Sequence, residues 1–306
     1  LYDTSSWSIS RELQLPSSPN VYAFSHDGRL LAVSRSGTSD IEIRQASNGQ
    51  VVRTIRGHLR GVVSLSFSPD DSMLVSGAQD GTVRIWQVSS GDNLFISEVG
   101  GTTDVAFSPN GELLATVSSA PSSEFGYLPT VRVFRASDGT LLRVLDANTY
   151  SSYREIAFSP DGALLAATTS NGLKLWRVSD WSLVRVLPIS APFVFSPNGR
   201  LIASTAEGSV RVFRVSDGML LRVLTGHQGA VRSVAFTPDG RLLASAGDDG
   251  TIRLYRTVDG SPAGVLTAHT GKVFSIAFSP NGKLLASASE DATIRLWRTA
   301  DWSLLR

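Results

Sequence analysis

One short pattern constrains this chain more than any bulk property: an aromatic residue followed by Ser-Pro-Asp/Asn-Gly or a near variant. It occurs as Phe24-Ser-His-Asp-Gly28, Phe67-Ser-Pro-Asp-Asp71, Phe107-Ser-Pro-Asn-Gly111, Phe158-Ser-Pro-Asp-Gly162, Phe195-Ser-Pro-Asn-Gly199, Phe236-Thr-Pro-Asp-Gly240 and Phe278-Ser-Pro-Asn-Gly282. The intervals between these Phe residues are 43, 40, 51, 37, 41 and 42. A repeat of this kind overrides the two-domain expectation that 306 residues would otherwise carry. Each copy reads as a tight turn. Pro pre-sets φ at the second position, Asp or Asn tolerates the third, and Gly supplies the positive φ that closes the hairpin.

Strands are expected on both sides of every turn. Before it lies an alternating stretch such as Val231-Arg-Ser-Val-Ala-Phe236, and after it an apolar stretch such as Leu242-Leu-Ala-Ser245. A third strand follows in each copy, as in Val83-Arg-Ile-Trp86, Val131-Arg-Val-Phe134 and Ile294-Arg-Leu-Trp297. A fourth follows a Ser-Asp-Gly-like turn, as in Ser216-Asp-Gly218 and then Leu220-Leu-Arg-Val-Leu224. Each copy is thus an antiparallel meander of four strands. One such sheet buries neither face well alone, and a radial array buries each face against the next sheet.

Hydrophobic residues make up 42% of the chain and charged residues 18%, enough to bury a large core. Net charge is +1 and the Arg residues are spread about one per copy, so the basic stripe of a nucleic-acid binder is missing and no nucleic-acid partner is expected. There is no Cys, which excludes disulfides and thiolate metal sites and leaves the compartment open, with the cytoplasm slightly favoured. No apolar run reaches the ~18 residues of a membrane span. The start lacks a signal-peptide pattern. It also lacks Met, so sequence upstream of Leu1 is expected to have been removed or left out.

Chemistry-bearing motifs are scarce. The sequence has no Gly-x-Ser-x-Gly elbow, no phosphate-cradling Gly-rich loop before a helix and no His-Glu-x-x-His. The four His residues fall in separate copies, so no metal spacing arises and neither cofactor nor metal is expected. His26 stands where other copies have Pro and reads as an exposed turn residue. Asp70, Asp161, Asp217 and Asp239 read as caps of tight turns. No catalytic residue is assigned and no enzymatic activity is expected.

The run Gly226-His227, Val-Ala-Phe-Thr-Pro-Asp-Gly240, Leu-Leu-Ala-Ser245, Asp249-Gly250 and Ile-Arg-Leu-Tyr255 resembles the WD40-repeat family closely, and the resemblance covers essentially the whole chain. It implies an all-β, seven-bladed β-propeller with four antiparallel strands per blade, forming a single domain over 1–306. The repeat units are approximately 16–56, 57–99, 100–146, 147–188, 189–225, 226–267 and 268–306. It also implies buried hydrogen-bonded tetrads: His58, Ser76, Asp80 and Trp86; His269, Ser287, Asp291 and Trp297; and His227, Ser245 and Asp249 with Tyr255 in place of Trp. In the family an N-terminal strand completes the last blade, closing the ring by pairing of the terminal strands. The segment 7–15, with Trp7-Ser-Ile-Ser-Arg11, is expected to do so. Trp302-Ser-Leu-Leu-Arg306 matches equally well and would then fray.

The 51-residue interval arises from two insertions, 118–130 and 146–154, expected on the same rim. They carry Phe125, Tyr127, Leu128, Tyr150, Tyr153 and Arg154, residue types that dominate binding hot spots. The alternative is that these aromatics fold down over a sheet edge. By resemblance the same face collects Arg60, Arg232, Lys272, Phe274, Gln79, Asp248 and Glu290. The expected function is therefore a non-enzymatic protein-interaction scaffold that docks a protein or peptide on this face. The alternatives are a structural repeat that assembles with copies of itself, and a ligand-binding or catalytic propeller using a central channel.

Overall fold

The computed structural model describes residues 19–35, 38–118, 130–146, 153–189 and 192–305. The chain divides into two compact units, Leu1–Val184 and Arg185–Arg306. The first unit holds β1 (Pro19–Phe24), β2 (Leu30–Arg35), β3 (Ile41–Gln45) and β4 (Val51–Ile55) in its first sheet. The second sheet is β5 (Val62–Phe67), β6 (Met73–Ala78), β7 (Thr82–Gln87) and β8 (Asn93–Glu98). The third is β9 (Thr102–Phe107), β10 (Leu113–Ser118), β11 (Val131–Arg135) and β12 (Leu141–Leu145). The fourth is β13 (Tyr153–Phe158), β14 (Leu164–Thr169), β15 (Gly172–Arg177) and β16 (Leu183–Leu187), the unit boundary falling within β16. Each is an antiparallel meander in chain order, as the turn spacing predicts.

The second unit departs from that plan. Its first sheet has six strands: β17 (Phe193–Phe195), β18 (Leu201–Arg214), β19 (Leu220–Phe236), β20 (Leu242–Gly247), β21 (Ile252–Arg256) and β22 (Pro262–Leu266). Its last sheet has three: β23 (Val273–Phe278), β24 (Leu284–Ser289) and β25 (Ile294–Arg298). The expectation of seven four-stranded blades is therefore corrected: the described residues form six sheets of propeller-blade type. The cause lies in β19. Its first half pairs with β18 (Ser209↔Thr225 to Phe213↔Leu220) and its second half with β20 (Val231↔Gly247 to Phe236↔Leu243). Glu207↔Ala230 joins the two halves where other copies have a loop. The fifth copy carries Ala206-Glu-Gly208 where the second and sixth carry Asp-Gly, and strand pairing runs on through this stretch.

Of the two candidate closing strands, only the C-terminal one is described. The segment 7–15 lies outside the described residues. Beside β25 lies the chain's C-terminal stretch, through the bridge Trp297↔Leu304 and the bond from Leu305 N–H to Leu296 O at 2.8 Å, so this stretch does not fray.

The cores sit between consecutive sheets. Ile41, Ile43 and Ile55 of the first sheet pack with Val62, Leu65, Phe67 and Trp86 of the second. Val75, Val83 and Ile85 pack with Val105, Leu114 and Phe134 of the third. In the second unit, Leu254, Ile252 and Leu266 pack with Val273, Ile276 and Trp297. Burying apolar area between neighbouring sheets within each unit is the main favourable term holding them together.

Polar links cross the same junctions. A bulge in the first strand between Val62 and Ser64, repeated at Val231/Ser233 and Val273/Ser275, interrupts the ladder. Ser64 Oγ accepts Val105 N–H at 3.3 Å, and Ser233 Oγ accepts Ile276 N–H at 3.2 Å. Asp104 plays this part towards the fourth sheet, accepting Ile156 N–H at 3.0 Å and Ser64 Oγ–H at 2.9 Å. Burial raises its pKa against the opposing pull of these bonds. On the outer strands, Arg53 donates to Ser89 O and Ser90 O at 2.6 and 2.5 Å, across to the second sheet. Arg185 does the same to Ser216 O and Asp217 O, and Arg222 to Val258 O.

Candidate functional site

The second sheet assembles the first tetrad from two strands and two loops. Trp86 Nε1–H on β7 donates to Ser76 Oγ on β6 at 2.7 Å. Ser76 Oγ is bonded to His58 Nε2 at 2.7 Å, and His58 Nδ1 to Asp80 Oδ2 at 2.9 Å. Asp80 also accepts Leu59 N–H at 2.8 Å, Thr82 N–H at 2.9 Å and Thr82 Oγ1–H at 2.7 Å. Burial works against its charge, but the bonds from His58, Leu59 and Thr82 outweigh it and hold the carboxyl well below its ordinary range.

The last sheet repeats the arrangement: Trp297 to Ser287 at 3.0 Å, His269 to Ser287 at 2.7 Å and His269 to Asp291 at 2.9 Å. In the six-stranded sheet His227 meets Ser245 at 2.8 Å and Asp249 at 3.0 Å. There Tyr255 turns its hydroxyl to Thr225 O at 3.2 Å. Desolvation again opposes the charge of Asp249, and bonds from Gln228 N–H, His227 and Thr251 bring its pKa down to about 2. Sequence reasoning missed the fifth member, Thr82, Thr251 and Thr293. Its signal was present as Asp-Gly-Thr or Asp-Ala-Thr in all three copies.

Ser, His and Asp joined in this order are the atoms of a hydrolase triad. Here the hydroxyls are out of reach: Ser76 and Ser245 are 0% exposed and Ser287 1%. In two of the three copies the Ser Oγ also accepts a Trp N–H. A hydroxyl hydrogen-bonded in this way inside the core rigidifies it.

The expected binding residues divide. Phe125, Tyr127, Leu128 and Tyr150 lie outside the described residues. Tyr153 is fully buried, and its hydroxyl donates to Asp146, which also pairs with Lys174. It therefore fills the core rather than a surface. Arg154, Arg60 and Gln79 are exposed. In the second unit Arg232 grips Asp248 with two bonds of 2.6 Å. Lys272 pairs with Glu290 at 3.7 Å and also acts on Asp248. Phe274, two residues from Lys272, is 49% exposed. Within the second unit, Arg232, Asp248, Lys272 and Glu290 set alternating charges beside one half-exposed ring.

Antiparallel meanders packed face to face define a β-propeller class of protein. The family model "WD domain, G-beta repeat" matches residues 49–87, 139–177, 218–256 and 260–298. The chain belongs to the WD40-repeat family. It is 29% identical over 195 residues to "WD repeat-containing protein SL1-17" of Schistosoma mansoni, covering 63% of this chain and 50% of that one. Over 195 residues it is 27% identical to bovine "Transducin beta-like protein 3" (62% and 23%). It is 31% identical over 118 residues to yeast "U3 small nucleolar RNA-associated protein 21" (38% and 12%). The chain thus spans at most half the length of these relatives. Among solved structures it is similar to that of the computationally designed Ika8 protein, with TM-score 0.78 and 25% identity over 95% of this chain and 87% of that one.

Proposed function

We propose that this chain is a protein-interaction scaffold that docks a protein or peptide on the face carrying the loops 118–130 and 146–154. Phe125, Tyr127, Leu128, Tyr150, Arg154, Arg232 and Phe274 are its candidate contacts. The observation that carries this reading is Phe274, a half-exposed ring beside the Arg232–Asp248 and Lys272–Glu290 pairs. An apolar anchor in a polar surround is the pattern of an interface hot spot. The relatives' names support it indirectly: they differ widely, as one framework serving many partners would produce.

The test is affinity capture from the native source with the wild-type chain, then reconstitution of any retained protein with purified Phe274→Arg and Arg232→Glu. The expected result is a partner whose binding falls about tenfold or more in both variants while their melting is unchanged. A partner that binds both variants like wild type would remove the assignment of this face.

A further inference from the structure

We infer a second binding surface in the second unit: a groove on the turn side that takes an extended, acidic segment of a protein partner. The groove has a volume of about 1000 Å³. It runs between the turn Thr237–Leu242 and the turn Pro280–Gly282, with Thr257, Val258 and Trp302 along its sides. The pyrrolidine of Pro238 sits against the Cα of Gly282 (3.6 Å from a Cβ placed there), so the two turns touch and floor it.

Two observations point to an occupant. The first is Arg256. Five turns carry Arg and Asp three residues apart: Arg135/Asp138, Arg177/Asp180, Arg214/Asp217, Arg256/Asp259 and Arg298/Asp301. Four of these close as ion pairs at 2.8, 3.1, 3.0 and 3.4 Å. Arg256 closes none. Arg256 lines the groove and acts on Asp259 only through its charge, while Asp259 accepts Ser261 N–H and Oγ–H. The second is the apolar wall. Val258 is 79% exposed, and with Pro238, Pro280 and the part-buried Trp302 it offers unfilled contact area.

Asp239, which also lines the groove, is matched by Arg241 at 3.7 Å. An exposed guanidinium without a close ion pair, beside an aliphatic and aromatic wall, selects a carboxylate next to apolar side chains. The open shape suits an extended chain rather than a compact ligand, which would need burial over most of its surface. This surface is independent of the face carrying Phe274.

The test pans a displayed library of random dodecapeptides against the full chain and measures the enriched peptides, made synthetically, by fluorescence polarisation. Enriched sequences should place Asp or Glu beside Pro, Leu or an aromatic. Binding should fall about tenfold or more in Arg256→Glu and in Val258→Arg, and be unchanged in Arg298→Glu and Phe274→Arg. Exchanging the peptide's acid for Lys should restore binding to Arg256→Glu. Both changes are at exposed positions, and circular dichroism checks that the fold is retained. Failure to enrich any peptide overturns the proposal, as does enrichment of peptides that bind both groove variants like wild type.

Discussion

Asp71 accepts the backbone N–H groups of His26 and Asp27, at 2.7 and 2.9 Å, and its Oδ1 lies 3.0 Å from His26 Nδ1. At four other junctions the same two positions bring a Pro ring against a Gly: Pro69–Gly111, Pro109–Gly162, Pro197–Gly240 and Pro238–Gly282. Both partners have changed at this one junction, and a van der Waals contact has become a hydrogen-bonded one. Asp71→Gly alone should cost about 1 kcal/mol, because it removes the acceptor and leaves His26 N–H unmatched. The double variant His26→Pro with Asp71→Gly should recover most of that loss. Urea unfolding of the full double-mutant cycle checks it, and strict additivity would show that the two positions are uncoupled.

His58→Ala should destabilise the chain by about 1–3 kcal/mol, since it strips Asp80 and Ser76 of a partner inside the core. Trp86→Phe keeps most of the ring and loses one N–H donor, so its cost should be smaller, about 1 kcal/mol from the bond itself. Thermal and denaturant melts rank the two. Equal stability of His58→Ala and wild type would show that the network contributes nothing.

Two carboxyls should drive stability in opposite directions with pH. Asp249 is held at about 2 in the fold against an ordinary 3.8, so its contribution is complete above pH 3.8 and lost as pH falls toward 2. Asp104 is raised, so the fold favours its protonated form and loses stability as pH climbs past 3.8 and through the elevated value. Replacing Asp104 with Ser, the residue at the matching positions 64 and 233, should therefore compare more favourably with wild type as pH rises. Asp249→Asn should compare less favourably over the same rise. Denaturation midpoints from pH 2 to 7 read both slopes, and parallel slopes would contradict this account.

Gly139 sits at φ 68° in the turn after β11, and a Cβ there would collide with the ring of Phe95 on the neighbouring sheet. Gly91 and Gly260 meet the Arg53 and Arg222 stems in the same way, each 2.6 Å from a Cβ placed there. Gly139→Ala should cost about 2–4 kcal/mol through overpacking and backbone strain together. Adding Phe95→Ala should relieve the first part only, and melting curves of the single and double variants separate the two.

The repeat, its turns and the first-sheet strands were legible because they rest on local chemistry. Ser-Pro-Asp/Asn-Gly specifies a hairpin whichever residue fills the third place: Ser68 Oγ–H bonds Asp70 Oδ1 at 2.6 Å and Ser196 Oγ–H bonds Asn198 Oδ1 at 2.8 Å. The extension of β19 was not legible, because it depends on Glu207 meeting Ala230 rather than on any periodic pattern. For a related reason the sequence leaves Tyr153 open between a contact residue and a cover for a sheet edge. An aromatic at the end of an insertion looks like a contact residue until the strand β13 is seen to begin at it and carry it into the core. The Arg residues spaced one per copy were read only as the absence of a basic stripe, whereas Arg53, Arg185 and Arg222 bind carbonyls of the next turn along.

The shared strand β19 has an evolutionary consequence. A four-stranded meander between two loops can be duplicated or deleted as a cassette, since its ladder ends where the cassette ends. Leu220–Phe236 belongs to two neighbours at once, so excising either would leave half a strand with no ladder. Gain or loss of copies in this lineage should therefore leave residues 193–266 intact as a double-length module and fall on the independently paired sheets elsewhere.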